Sequence, residues 1–272
     1  MARQQREEAG GKKKKREFQG VSGIIQDTPG KYKPAFEEEV EPSNRIVATT
    51  AGLQKRGKTQ FGLSMPKPML YQQFDTNYEH ALKKARDEAK KKKQKDAIQH
   101  LSYFADPRGD IQAANAAEFE RFVRDYDYGI DDFKSIFIDT VTELMDVRKI
   151  AEWGRLSQIP QIYYGSIYAD FRWLVKRAMG SNCNVVFAHR LRKQYVDNEW
   201  KGDYELQGWP GIVYETQVYL EHNRDDEGEF STTIVECAQE ASLMGIVLAD
   251  DENDFKSLAT KIFPDSNEED WV

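Results

Sequence analysis

Residues 45 to 63 read RIVATTAGLQKRGKTQFGL, and Gly52, Gly57, Lys58 and Thr59 within them complete the spacing GxxxxGK[ST]. No other stretch constrains the fold as tightly. The run RIVATT is β-branched and apolar, and KTQFGLSM reads as a short helix stopped by Pro66 and Pro68. A glycine turn between a buried strand and a helix N-terminus gathers backbone N–H groups around an anion. At this spacing the glycines let the chain curl around phosphates. The lysine then reaches the β and γ oxygens of a triphosphate, and the threonine hydroxyl faces Mg2+. Gly52, Leu53, Gln54, Lys55, Arg56, Gly57, Lys58, Thr59 and Gln60 are therefore candidate nucleotide contacts. Lys58 is also a candidate catalytic group and Thr59 a candidate metal ligand, with ATP and Mg2+ the implied cofactors. The alternative is a lysine-rich surface turn, which the flanking strand and helix argue against.

Such a site also needs a carboxylate at the end of a buried strand to hold the cation's water shell. SIFIDT supplies Asp139 there, and the competing role for that aspartate is to cap the next helix. Lys58, Thr59 and Asp139 then form one constellation.

The remaining pattern sets the fold class. MLYQQF and NVVFAH read as further strands, and VTELMDVRKIAEWGRL and YADFRWLVKRAM as helices. Residues 79–127 read as a helical, lysine-rich insertion with a turn at DPRGD, carrying eight Lys/Arg between 83 and 95. IVYETQVYLEHN and EFSTTIVECAQ alternate at period two around RDDEGE, a hairpin signal. Strands separated by helices and followed by a hairpin predict an α/β fold, with a mainly parallel sheet and an antiparallel edge.

Composition sets the outer bounds. The mean hydropathy of -0.75 points to long solvated segments, and the net charge of -7 hides an asymmetry. Residues 1–16 carry seven Lys/Arg against Glu7 and Glu8, whereas 249–272 carry eight Asp/Glu against Lys256 and Lys261. The expected organisation is a disordered basic arm over 1–20, an irregular lead-in over 21–44, one domain over 45–248 and an acidic tail over 249–272. Cys183, Cys237 and the four scattered histidines form no structural zinc pattern, so a reducing, cytoplasmic setting is expected. The longest apolar run, near LMGIVLA, falls far short of the roughly 18 residues of a membrane span, and the lysine-rich start lacks a signal peptide's apolar core.

In order along the chain, GLQKRGKT, MLYQQFDTNYE, SIFIDTVTEL, EWGRL, YYGSIYADFRWLV and NVVFAHR resemble the phage and prophage P-loop nucleotide-binding proteins of the RecA-like ATPase class. Some of these act as single-strand annealing recombinases. The resemblance covers about residues 45–222 and implies a RecA-like fold, ATP hydrolysis, homo-oligomers and action on single-stranded DNA inside a host cytoplasm. By it, His189 falls where the class senses the γ-phosphate, and Arg190, Arg192 or Lys193 could reach a neighbour's phosphate in trans. One departure stands out. The class places a water-activating glutamate after its second strand in a pattern like Asp-x-Glu, but this chain reads Asp75-Thr76-Asn77. General-base work then falls to Asp75, Glu79 or Glu143, or hydrolysis is slow and nucleotide binding is the switch.

LRKQYVDNEWKGDYELQGW mixes Arg192, Lys193 and Lys201 with Tyr195, Trp200, Tyr204 and Trp209, the combination of cations and aromatic platforms that binds single strands. An ordered packing loop is the alternative. The terminal PDSNEEDWV joins four carboxylates to Trp271 and Val272, which suits docking to a basic partner or to the chain's own lysines, or plain solvation. A small-metabolite kinase would need an arginine-rich lid, and none is evident. A nucleotide-dependent assembly protein with little hydrolysis is the remaining rival.

Overall fold

The computed structural model describes residues 44–94, 97–104, 108–155, 159–197 and 199–271. The arm and lead-in expected before residue 44, and Val272, lie outside them. The predicted α/β class holds: a mainly parallel sheet flanked by helices, with an antiparallel hairpin toward the C-terminus.

The strands in chain order are β1 (Val47–Gly52), β2 (Met69–Gln73), β3 (Ile98–Ser102), β4 (Ser135–Asp139), β5 (Asn184–Val196), β6 (Glu199–Leu206), β7 (Val218–Arg224), β8 (Phe230–Cys237) and β9 (Val247–Ala249). Across the sheet they run β3-β2-β4-β5-β1-β7-β8-β9, with β6 paired to the outer half of β5. The neighbours from β3 to β7 are parallel, and β7–β8–β9 form the antiparallel edge. The helices are α1 (Lys58–Gly62), α2 (Glu79–Lys91), α3 (Ile111–Asp132), α4 (Val141–Trp153), α5 (Gly165–Met179), α6 (Ile212–Glu215) and α7 (Phe255–Ile262).

Both faces of the sheet are covered, which is why its central strands read as near-continuous apolar runs. In β4, Phe137 packs on one face with Phe61, Met65, Phe255 and Trp271. Ile136 and Ile138 pack on the other with Phe122 and Tyr126 of α3, Leu144 of α4 and Phe171 of α5. The approach of α1 to β4 is very close, since a Cβ on Gly62 would stand 2.3 Å from the Phe137 ring. That contact fixes the helix following the glycine turn against the strand carrying Asp139.

Four stretches differ from the sequence expectation. Residues 79–127 are not all helical, because Ile98–Ser102 joins the sheet beside β2 and makes the segment part of the fold. NVVFAH does not end at His189 but continues as β5 to Val196 and turns back as β6. IVYE forms the short helix α6, so the hairpin begins only at Val218. The expected acidic tail contains α7 and a final turn at Glu268–Trp271, with Trp271 only 2% exposed between Phe255 and Phe263. Among the described residues no helix is long and apolar enough to cross a membrane.

Candidate functional site

β1 ends at Gly52 and α1 begins at Lys58, so residues 53–57 form a loop at the C-terminal edge of the parallel strands. Gly57 sits at φ 95°, a left-handed conformation that disfavours a side chain, and a Cβ there would also come 3.1 Å from the Phe230 ring. A Cβ on Gly52 would meet the His222 carbonyl oxygen at 3.1 Å. Glycine is thus favoured at both positions, by conformation and space at Gly57 and by the tight approach of β7 at Gly52. Lys58 Nζ donates to the Gly52 and Leu53 carbonyls at 2.7 and 2.8 Å, which folds the ammonium over the mouth of the loop. Burial lowers its pKa to about 8, against the opposing pull of Asp139 and Asp75.

Asp139, at the end of β4, is almost fully buried. It accepts from Thr59 Oγ1 at 2.7 Å and from the Tyr71 hydroxyl at 3.1 Å. Desolvation raises its pKa, and those two hydrogen bonds oppose the rise. The helix-cap role considered for Asp139 belongs instead to Thr140, whose Oγ1 accepts from Glu143 N at the start of α4. Lys58, Thr59 and Asp139 come together, lining one cleft with Gln54, Lys55, Arg56, Gly57 and Gln60, whereas Gly52 and Leu53 are not among its lining residues.

The other expected site residues scatter. Glu79, the first residue of α2, is exposed and outside the cleft lining. Glu143 on α4 is ion-paired with Arg190. Asp75 does line the cleft, where Arg190 donates to its Oδ2 at 2.9 Å. Desolvation would raise the Asp75 pKa, but hydrogen bonds from Arg190 and the Thr76 backbone outweigh it and hold the carboxyl low. His189 does not reach the cleft. It is fully buried, with Nδ1 3.5 Å from the Gln207 carbonyl and Nε2 without a hydrogen-bond partner, and desolvation lowers its pKa to about 4.

Several cleft residues have no motif to announce them. Arg224 and Phe230 reach in from the β7–β8 hairpin, and His80 from the first turn of α2. Beneath the loop, buried His222 bonds Thr50 Oγ1 through Nε2 and Thr232 Oγ1 through Nδ1 at 2.8 Å. Thr232 donates onward to Asn253 Oδ1 at 2.5 Å, so the imidazole carries its proton on Nδ1 and accepts from Thr50. Burial lowers its pKa to about 3, and the Lys58 charge adds to that. In the sequence this histidine is one of four scattered ones, and the one local signal for it is its even-numbered place with Val218 and Leu220 along β7.

The donor set fits a magnesium-bound nucleotide. Among the described residues no cluster of three or more His, Cys, Asp or Glu could hold a metal by itself. One hydroxyl and one carboxylate facing a phosphate cradle are what Mg2+ uses when phosphate oxygens and water complete its octahedron.

No model of a known protein family matches the chain, and no curated protein matches it. Among solved structures it is similar to one titled "Crystal structure of the RadB recombinase". The two share 10% identity, with a TM-score of 0.46, over 75% of this chain and 86% of that chain. At that distance the likeness is one of overall trace.

Proposed function

We propose that this chain is a Mg2+-dependent, ATP-binding P-loop ATPase of the RecA-like class that acts on single-stranded DNA in phage recombination or replication. The observation that carries the nucleotide part is the convergence of Lys58, Thr59 and Asp139 on one glycine-cradled cleft at the C-terminal edge of a parallel sheet, where such folds bind ligands. Lys58 would leave the loop carbonyls for the β and γ oxygens, and Thr59 with Asp139 would hold the magnesium that neutralises developing phosphate charge.

The DNA part is supported by the β5–β6 hairpin. Tyr195, Trp200 and Tyr204 are exposed on it, and Lys193 Nζ stands 4.2 Å from the Trp200 ring centroid. Cation and aromatic faces side by side suit a backbone phosphate and a stacked base. Trp209 is not part of that surface, being buried against Tyr168 and Phe171.

A second reading, nucleotide-dependent assembly with little hydrolysis, is favoured by one observation. Asp75 and Glu143 are both engaged by Arg190, and Glu79 lies outside the cleft. Phosphate release measured with and without single-stranded DNA separates the two. Stimulation by DNA supports the ATPase, bound but unhydrolysed ATP under both conditions supports assembly, and phosphate transfer to a metabolite would favour a kinase.

A further inference from the structure

Arg190 stands opposite Gly52 across the β1–β5 ladder. Leu191, the next residue, pairs with Leu206 of β6, so Arg190 marks the point where β5 leaves the parallel sheet and becomes the hairpin. Its guanidinium reaches past the end of β4 to two carboxylates from different elements, Asp75 after β2 and Glu143 on α4. It is partly exposed and lines the same cleft as Lys58, Thr59 and Asp139. Two facts set it apart from an ordinary surface ion pair. The fork is satisfied by two anionic partners at once, the arrangement a guanidinium also makes with a phosphate. It also ties two separate elements together at the rim of the cleft that Lys58 lines, the turn after β2 through Asp75 and α4 through Glu143.

We propose that Arg190 is a ligand, in cis, for the terminal phosphate of a bound nucleoside triphosphate, and that Asp75 and Glu143 hold its place when that phosphate is absent. The inference rests on the nucleotide reading above. A triphosphate presents a third anionic group that a diphosphate lacks, so the exchange of partners is selective for the triphosphate. Moving the guanidinium frees Asp75, which lines the cleft, to accept a proton from water. It also bears on the root of the hairpin, because the Arg190 amide donates to Thr142 Oγ1 at 3.0 Å and its carbonyl accepts from Gln207 N at 2.8 Å. The phosphate state and the exposed aromatics of the hairpin thereby share one residue.

The test is calorimetric titration of the full chain with ATP and with ADP, in Mg2+ at fixed salt, read as the ratio of the two affinities. Wild type should prefer ATP. Arg190→Ala should lower the ATP:ADP ratio at least tenfold. Asp75→Asn, which removes a competitor for the guanidinium and leaves its bond to Glu143, should raise the ratio severalfold, an effect that loss of a merely structural ion pair would not produce. A wild-type ratio in folded Arg190→Ala, or a ratio that falls in Asp75→Asn, overturns the inference while leaving the nucleotide site intact. Wild-type chain that binds neither nucleotide overturns the nucleotide reading itself, and this inference with it.

Discussion

The β5–β6 hairpin and the C-terminal stretch Asp254–Trp271 look alike as sequence, each polar, strongly charged and dotted with aromatics, yet the fold treats them oppositely. On the hairpin Trp200 is 45% exposed, whereas Trp271 is 2% exposed. The difference lies in the neighbours. FKSLATKI places Phe255, Leu258, Ala259 and Ile262 at helical spacing behind the N-cap Asp254, so α7 has one apolar face to lay on the sheet. Trp271 closes that face, stacking on Phe263 with its indole N–H satisfied by Ser266 Oγ at 2.7 Å. EWKGDYEL carries no such face, and its rings are left beside lysine and solvent. The hairpin root reaches the cleft through Arg190, whereas the C-terminal side only touches elements beside it, Phe255 N donating to Ser64 Oγ and Asn253 accepting from Thr232, the partner of His222. An aromatic in a charged stretch is therefore a packing residue or a contact residue according to the periodicity around it.

The largest expected effect that could break this contrast is in Trp271→Ala, which empties a buried aromatic site and should cost about 3–5 kcal/mol of stability. Denaturant unfolding measures it, and a loss under about 1 kcal/mol would mean that the segment is only loosely held.

Acid should act through two buried histidines rather than through the exposed rings. His222 and His189 are held neutral, with pKa values lowered to about 3 and about 4, while the unfolded chain protonates near the ordinary value of 6.5. A lowered folded-state value means full stability above that ordinary value and progressive loss as pH falls toward the folded values. The slope is about 1.4 kcal/mol per pH unit for each histidine. Unfolding midpoints that stay level from pH 7 to pH 5 would contradict the burial.

Trp200→Ala should weaken single-strand binding by about 1–3 kcal/mol while leaving the thermal midpoint unchanged, and Trp209→Ala should do the reverse. If both variants lose stability and binding together, the hairpin is a packing element after all. Smallest of all, Glu268→Ala removes an exposed ion pair with Lys256 and should leave the unfolding midpoint where it was.

The legible parts of the fold were those where one local pattern decided the outcome. Spacing alone marked the loop from Gly52 to Thr59, and an apolar run ending in an acid marked Asp139. β3 was hidden because AIQHLSYF follows a lysine-rich helix and forms a five-residue edge strand in which only Ile98 is firmly buried. The helix α7 was masked by the eight acids around it, although Phe255, Leu258 and Ile262 carried the signal. What no local pattern carries is a pairing across more than a hundred residues. Arg190 with Asp75 and Thr50 with His222 are such pairings, and they separate the bare motif from the finished cleft.

The central claim is that Lys58, Thr59 and Asp139 form one magnesium-nucleotide site. Titration of wild type and Lys58→Ala with ATP in the presence and absence of Mg2+ tests it most directly. The account predicts Mg2+-enhanced binding by wild type, and in the variant a loss of about 1.5–3 kcal/mol for each charge-assisted contact removed. Wild-type affinity in folded Lys58→Ala would contradict it.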